Sequence, residues 1–469
     1  MKIIKLFLLG MLVLISSCQN QDNKLTGEWY ALNNMAVLTL DLRNDSTFVC
    51  NSAASSTMCF SGRYTIDPTV TPMTIDLLQV SNGMEAAGLM QVNGDGSMDI
   101  CINFGAPGAV ARPETIEGDP TALTMMTLHC TRDRAGVEKE AQGACKAPTD
   151  GSLAFERNKH LGRGINIEST LDGFESEYPV YRSIEEDVQS IAAAGFQSVR
   201  LPIRFSSHCA VEAPYLIDPD FMAKVDQIVD ASLKNNLPIV LDMHYYPYIS
   251  FAGQDSLISY EDNIKRLVSL WSQIAEHYSS YPDDMVYFDL MNEPNPALGT
   301  DGWNELVNQL IPAIRKSNPG KTMLVMTPSL GQHWTINYLN LPQEEENIIV
   351  EFHYYLPHLF THQGLEFAMA DGAYNIPWMG TDEEKAAIEH DLNYCAEWSR
   401  KNNRPVNMGE FGVYKNADPD SRARWIGYMH QAARAREIST HLWSFRDGFS
   451  IRNNETGEWD SSIISSINN

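Results

Sequence analysis

From Ser152 onward the chain repeats one rhythm eight times: a short apolar segment, a polar residue at its end, then a longer amphipathic stretch. The apolar segments are Gly164 to Ile167, Ser198 to Pro202, Pro238 to Asp242, Val286 to Leu290, Met323 to Met326, Ile348 to Phe352, Pro405 to Met408 and His441 to Ser444. Runs this short and this apolar read as strands covered on both faces, as in a parallel sheet. Helical faces fit between most of them: Ile184 to Ala194, Phe221 to Lys234, Ile264 to Tyr278, Trp303 to Ile314, Glu383 to Arg400 and Ser421 to Ala435. Only the segment after the fifth strand, Trp334 to Leu339, is short. A doubly wound open sheet would need a ligand motif at its switch point, and no Gly-rich phosphate loop follows any strand. The expectation for 152–469 is an α/β fold, a (β/α)8 or TIM barrel, with its working residues at the carboxyl ends of the strands.

The preceding third has a different grammar. Glu28 to Leu32, Val37 to Leu42 and Phe60 to Ile66 alternate apolar and polar residues, and Arg43 to Ser46, Asp67-Pro68, Ser81 to Gly83 and Asn93 to Gly96 supply turns. Alternation of period two with regular turns predicts a small all-β domain over 25–132, an antiparallel meander closed into a barrel or sandwich. Residues 133–151, rich in charge, Gly, Ala and Pro, read as a linker. Trp29, at a strand start, is read as core.

At the N-terminus, Lys2 and Lys5 precede the apolar run Ile3 to Ile15, too short to span a bilayer and suited to an export signal over 1–17. Ser16-Ser17-Cys18 resembles a bacterial lipobox, which implies cleavage before Cys18, its lipidation, and a polar tether over 18–24. The alternative is an ordinary signal peptide in which Cys18 is incidental. A lipid-anchored bacterial membrane protein, facing periplasm or cell surface, is the expectation. Roughly 450 residues then remain, enough for two or three domains. A net charge of −26 disfavours nucleic acid or an anionic membrane surface as partner and leaves a neutral ligand as the natural one. Of eight cysteines, Cys50, Cys59, Cys101, Cys130 and Cys145 fall early. Export makes disulfides possible among them, with an odd one over and no zinc spacing.

The strand ends carry the chemistry. Glu293 follows the fourth strand in Met291-Asn292-Glu293-Pro294, and Glu410 ends the seventh in Met408-Gly409-Glu410-Phe411-Gly412. Carboxylates at the ends of apolar strands are costly to desolvate, so a barrel presenting two of them on one face points to paired use. Paired carboxylates are the working parts of glycoside hydrolysis. Arg200, His244, Asn292, His353, Tyr355 and Trp443 stand at the other strand ends, each able to bond a sugar or tune an acid.

Val199-Arg200-Leu201-Pro202, Asp242-Met243-His244, Asn292-Glu293-Pro294, Phe352-His353-Tyr354-Tyr355, Gly409-Glu410-Phe411-Gly412 and Leu442-Trp443 resemble, in order and spacing, the signatures of glycoside hydrolase family 5, the cellulase family of retaining (β/α)8 enzymes. The resemblance covers about residues 153–469 and implies Glu293 as acid and base, and Glu410 as nucleophile, with carboxyl groups about 5 to 5.5 Å apart. It further implies that Arg200 and Tyr355 serve the nucleophile, that His353 lies near the acid, and that Asn292 holds a sugar 2-hydroxyl. His244 then reaches a neighbouring hydroxyl and Trp443 forms an apolar floor. The first-strand motif Leu161 to Ile167 also resembles the family, but continues Glu168-Ser169 where Gly-Asn is frequent, which bears on the outer glycone subsite. Residues 24–132, through Leu25 to Trp29, Met73 to Leu77 and Phe104 to Gly108, resemble a lipocalin-like β-domain, either a sugar-binding module or a spacer.

Further candidates are His208 for the glycone side and Trp334, Trp378 and Trp303 as stacking platforms, against solvated or core roles. His358 and His362 have a spacing compatible with metal, but no acid stands between them and no third ligand nearby. Tyr245, Tyr246, Tyr248 and Phe251 form an aromatic loop, a cleft wall or a lid. The resulting expectation is a monomeric endo-acting β-1,4-glucan hydrolase that needs no cofactor. Mannan, xyloglucan or mixed-linkage glucan are alternative substrates, and a glycan-binding lipoprotein without turnover is the other class of function.

Overall fold

The computed structural model describes residues 25–468 apart from 34–35, 82, 120–124, 144, 173–183, 248, 251–257, 366–373, 447 and 454. Cys18, the leader and the tether lie outside the described residues, as do Tyr248 and Phe251. The chain forms two compact units divided between Gln142 and Gly143.

The first unit is a closed antiparallel barrel of eight strands in chain order: β1 (Gly27–Asn33), β2 (Ala36–Leu42), β3 (Thr47–Ser52), β4 (Phe60–Asp67), β5 (Met73–Leu78), β6 (Glu85–Val92), β7 (Met98–Gly105) and β8 (Met125–Thr131). β8 returns to β1 through Tyr30↔Thr131 and Ala31↔Cys130, which removes the open edges. Alternate residues such as Leu38, Leu40, Phe48, Ile75, Met90 and Ile100 fill the interior. Trp29 belongs to that core, as its sequence position suggests: its indole N–H donates to Leu25 O at 2.7 Å, and Arg132 lies 3.7 Å over the ring. Within 133–151 the structure has a helix, Arg134–Glu140, capped by the Asp133 side chain. The seven described cysteines are all free thiols, so the early cluster forms no disulfide among the described residues. Burial pushes the thiols of Cys50 and Cys130 up to about 12, which makes both inert.

The second unit is a closed, all-parallel barrel of β9 (Arg163–Asn166), β10 (Ser198–Ile203), β11 (Ile239–Met243), β12 (Val286–Asp289), β13 (Met323–Met326), β14 (Ile348–His353), β15 (Val406–Phe411) and β16 (Ser439–Leu442), with β16 pairing back to β9. The outer helices include Ile184–Ala193, Pro219–Lys234, Tyr260–His277, Gly299–Arg315, Asp382–Asn402 and Pro419–Arg434. After β13 only a short turn and a 3-10 helix, His333–Tyr338, occur. Among the described residues no helix is long and apolar enough to cross a membrane.

The alternation within each strand sets the layers. Val199, Leu201, Ile239, Leu241, Val286, Phe288, Ile348 and Val350 face the helices in the main core. Their neighbours Val240, Tyr287, Leu324 and Ile349 point inward and, with Leu161 from the helix Ser152–Leu161, form a separate buried layer. Two residues further along the same inward rows come Asp242, Asp289, Met326 and Glu351, and the apolar interior gives way to charge.

Candidate active site

Arg200, fully buried on β10, organises that charged layer. Its guanidinium meets four carboxylates: Asp242 at 3.1 Å, Asp289 at 2.9 Å, Glu351 at 3.2 Å and Glu410 at 3.1 Å. It also donates to the side-chain oxygens of Asn166 and Asn292, each at 3.0 Å. One guanidinium cannot by itself neutralise four acids in a site closed to water, so the neighbouring histidines, or protons kept on part of the set, must offset the rest. Burial and the facing Glu351 hold the Asp289 carboxyl well above the ordinary range, and burial raises Asp242 despite Arg200.

Glu293 and Glu410 stand above this layer. Glu293 follows β12 with φ of 45°, an unusual backbone conformation for a non-glycine residue and of the kind that gathers at functional sites. Glu410 lies within β15 and is 5% exposed. An oxygen of Glu293, a ring nitrogen of His353 and an oxygen of Glu410 all lie within 4.8 Å of one another. His353 Nδ1 is 3.0 Å from Glu293 Oε1 and 3.5 Å from Glu410 Oε2. Tyr355 donates its hydroxyl to Glu410 Oε2 at 2.9 Å while Arg200 holds Oε1. Both oxygens of Glu410 are therefore engaged, which fixes the plane of the carboxylate.

Two glycines make this possible. A Cβ on Gly409 would lie 1.6 Å from Glu351 Oε1, so the space beneath Glu410 is taken by the Glu351 carboxylate. A Cβ on Gly412 would lie 2.1 Å from the carbonyl oxygen of Trp443, so only glycine lets β15 approach the end of β16.

The electrostatics lower the carboxyl of Glu293 and raise that of Glu410. Burial works against charge on His353, but the carboxylates of Glu410, Glu293 and Glu351 outweigh it and raise the ring to about 10. Burial favours the neutral form of Glu293, yet the hydrogen bond and charge of His353 hold it below the ordinary carboxylate value. Glu410 is raised by burial, with His353 and Arg200 opposing and Glu293 adding to the rise. The free site thus keeps one proton in the Glu293–His353 contact, mostly on the ring. Moving it to Glu293 leaves the net charge of the site unchanged, and the two groups titrate as a pair.

The remaining strand-end residues fall as follows. His244 Nδ1 bonds Asp242 Oδ2 at 2.6 Å, and its ring runs parallel to Trp443 at 5.9 Å and 8°. Although burial lowers its pKa, the bonded Asp242 carries it above the usual histidine value. Trp443 is 9% exposed and clusters with Leu365 and Phe449. Asn292, 3% exposed, is held by Arg200 through its side-chain oxygen. Arg200, His244, Asn292, Glu293, His353, Tyr355, Glu410 and Trp443 are thus linked in one continuous set of contacts. His208 is instead stacked flat on Phe221 at 3.8 Å, on the outer helix that follows β10. Trp334 is half-buried in the 3-10 helix beside His333. Trp303 and Trp378 are core residues, not platforms: Trp303 is 0% and Trp378 1% exposed. In the aromatic loop Tyr246 is buried, and Tyr245 is exposed with its ring edge against His244.

His358 and His362 stack on each other at 4.2 Å, and burial together with His358 lowers His362 to about 3. Among the described residues the one group of three side chains spaced to hold a metal ion is Glu293, His353 and Glu410. Glu168, which departs from the first-strand pattern, is buried and accepts the backbone N–H groups of Phe445, at 2.9 Å, and Arg446. It therefore anchors the segment after Trp443.

Asn166, Asp242, Asp289 and Glu351 were not singled out by sequence reasoning. A signal for two of them is present: Asp242-Met243-His244 and Glu351-Phe352-His353 repeat an acid-X-His pattern, which on a strand puts each acid on the same face as its histidine.

Residues 162–448 match the cellulase family, glycosyl hydrolase family 5. Endoglucanase H of Acetivibrio thermocellus is 28% identical over 322 residues, covering 67% of this chain, and the chain spans 33% of that relative's length. Among solved structures, a hyperthermophilic endo-beta-1,4-glucanase in complex with substrate is 34% identical with a TM-score of 0.63, covering 68% of this chain and 100% of that one. Thermotoga maritima Cel5A in complex with a mannotriose substrate is 33% identical with a TM-score of 0.62, covering 67% of this chain and 99% of that one. With a matching barrel and a family match over residues 162–448, the chain belongs to glycosyl hydrolase family 5, the cellulase family.

Proposed function

We propose that the chain is an endo-acting β-glycosidase that cleaves internal β-1,4-glucan bonds by double displacement with net retention. The observation that carries the reading is the approach of Glu293, His353 and Glu410 within 4.8 Å at the barrel mouth. An oxygen of each carboxylate this near the other supports direct attack by one of them, for which the carboxyl groups stand about 5 to 5.5 Å apart, over the arrangement with a gap of about 6.5 to 9.5 Å that holds a water.

In this reading Glu410 attacks the anomeric carbon from beneath. The C1–O bond to the departing sugar breaks as the bond to Glu410 forms, and Glu293 delivers its proton to the leaving oxygen. In the second half water adds to C1, Glu293 takes the water's proton, and Glu410 leaves as carboxylate. Arg200 and Tyr355 hold Glu410 in the plane of attack. Asn292, itself fixed by Arg200, holds the 2-hydroxyl in this reading, where contacts that tighten in the transition state speed the reaction. His244 and Trp443 supply a hydroxyl partner and an apolar floor. His208 and Trp334 remain proposed outer contacts.

β-Glucan is favoured by the endoglucanase relatives, and mannan is the second reading because a similar structure is described with a mannotriose substrate. Reducing-sugar release from carboxymethylcellulose, barley glucan, xyloglucan and mannan tests both. Release from glucan supports the first reading, and release from mannan alone replaces it with the second. Binding without release from any glycan favours a non-catalytic lipoprotein.

The signal and lipobox motifs support export and a lipid anchor on Cys18, and mass spectrometry of the processed N-terminus tests them. The first unit is proposed as a spacer, since its interior is filled by side chains and Trp29 is buried. Heat of binding between soluble glucans and that unit would make it a sugar-binding module.

A further inference from the structure

The buried acids beneath the mouth are not equivalent. Asp242 is hydrogen-bonded to His244, and Asp289 to Arg200. Glu351 is 0% exposed, and neither of its oxygens has a hydrogen-bond partner in the structure. Oε1 faces Arg200 Nε at 3.2 Å and His353 Nε2 at 3.6 Å, and that ring nitrogen is also without a hydrogen bond. A gap of 3.6 Å is too long for a hydrogen bond, so the contact is one of charge in a site closed to water. The space for this carboxylate exists only because residue 409 is glycine. On its other side His353 presents Nδ1 to Glu293 at 3.0 Å.

We propose that Glu351 is a positioning residue that acts through His353: its charge behind Nε2 keeps that nitrogen protonated, so the proton on Nδ1 stays directed at Glu293. The proposal rests on the glycosidase reading of the site. The proton that leaves on the glycosidic oxygen then comes from a Glu293–His353 pair, moving from Nδ1 to Glu293 Oε1 and from there to the leaving group. In the second half of the reaction the proton of the attacking water returns by the same route, so no net proton is consumed. The charged groups facing His353 are Glu293 from the end of β12, Glu410 from β15 and Glu351 from β14, with Arg200 and Asp289 behind Glu351. The upward shift of His353 to about 10 agrees with this arrangement.

The test is the ring 15N titration of His353 in the full chain labelled at histidine, assigned by the signal lost in His353→Gln. In the wild type both ring nitrogens are protonated at pH 7, and a neutral ring at that pH overturns the proposal without any variant. In Glu351→Gln, which keeps the shape and removes the charge, the midpoint falls by about one unit or more. The alkaline limb of kcat/KM falls with it, while Glu351→Asp retains most of the wild-type midpoint. A folded Glu351→Gln protein with an unchanged midpoint overturns the proposal. The ring titration needs no substrate, so it decides the role of Glu351 even if the wild type cleaves no β-glycan, the result that would instead end the functional reading.

Discussion

Nη1 of Arg200 lies 3.1 Å from Oε1 of Glu410, and the same buried guanidinium closes on Asp242, Asp289 and Glu351. Removing the guanidinium leaves these acids facing one another with only the rings of His244 and His353 to offset them. Arg200→Met is expected to cost about 3 to 5 kcal/mol of stability and at least a hundredfold in kcat/KM. Thermal unfolding alongside kinetics checks this, and an unaltered melting temperature would contradict the central place given to Arg200.

On the proposed mechanism Glu410→Ala removes the carboxylate that forms the glycosyl intermediate and should lose several orders of magnitude in turnover. Azide is expected to restore rate with an activated aryl glycoside and to yield the α-glycosyl azide, identified by mass and NMR. A near-normal rate in the variant removes Glu410 from the role of nucleophile.

Glu293→Ala should slow substrates with poor leaving groups far more than aryl glycosides whose leaving groups need no proton. The check is a comparison of natural oligosaccharides with dinitrophenyl glycosides. Equal slowing of both would contradict the acid assignment.

Tyr355→Phe deletes one hydroxyl donated to Glu410 Oε2 at 2.9 Å. A hydrogen bond to a charged group contributes about 1.5 to 3 kcal/mol, so kcat/KM should fall about 10- to 100-fold with the fold intact.

The pH dependence follows from the same contacts. Glu410 must be ionised, and burial raises it above the ordinary 4.5, so the acid limb of kcat/KM should lie above that value. The shared proton must be present, and His353 holds it up to about 10, so the alkaline limb should fall only as pH approaches that range. His353→Gln removes the reservoir and should move the alkaline limb downward, which pH profiles of the two proteins test directly.

The architecture was legible because its causes are local. Strands buried on both faces read as continuous apolar runs, and the helix between Ile184 and Ala193 or between Pro419 and Arg434 carries one apolar face. Most of the strand-end set was legible for the same reason: His244, Glu293, His353 and Glu410 are polar residues where apolar runs stop, and Arg200 is the lone cation within one. Asp242, Asp289 and Glu351 were not, because each is a single acid in or at the end of an apolar run, and only the closure of the barrel shows that they share one cation. The fate of Glu168 was also hidden, since its partners, the N–H groups of Phe445 and Arg446, lie 277 and 278 residues away in sequence. Trp303 and Trp378 could not be assigned from composition, because an aromatic side chain serves a core and a sugar platform equally well.

Direct capture of the sugar requires Glu293 and Glu410 to work as a close pair on opposite sides of the anomeric carbon. Proton NMR of the first product released from a β-1,4-gluco-oligosaccharide tests it most directly, by observing the new reducing end before mutarotation. Double displacement releases the β-anomer first, with the α-anomer growing in at the spontaneous rate. Initial appearance of the α-anomer would mean single displacement by water and would contradict the assignment of Glu410.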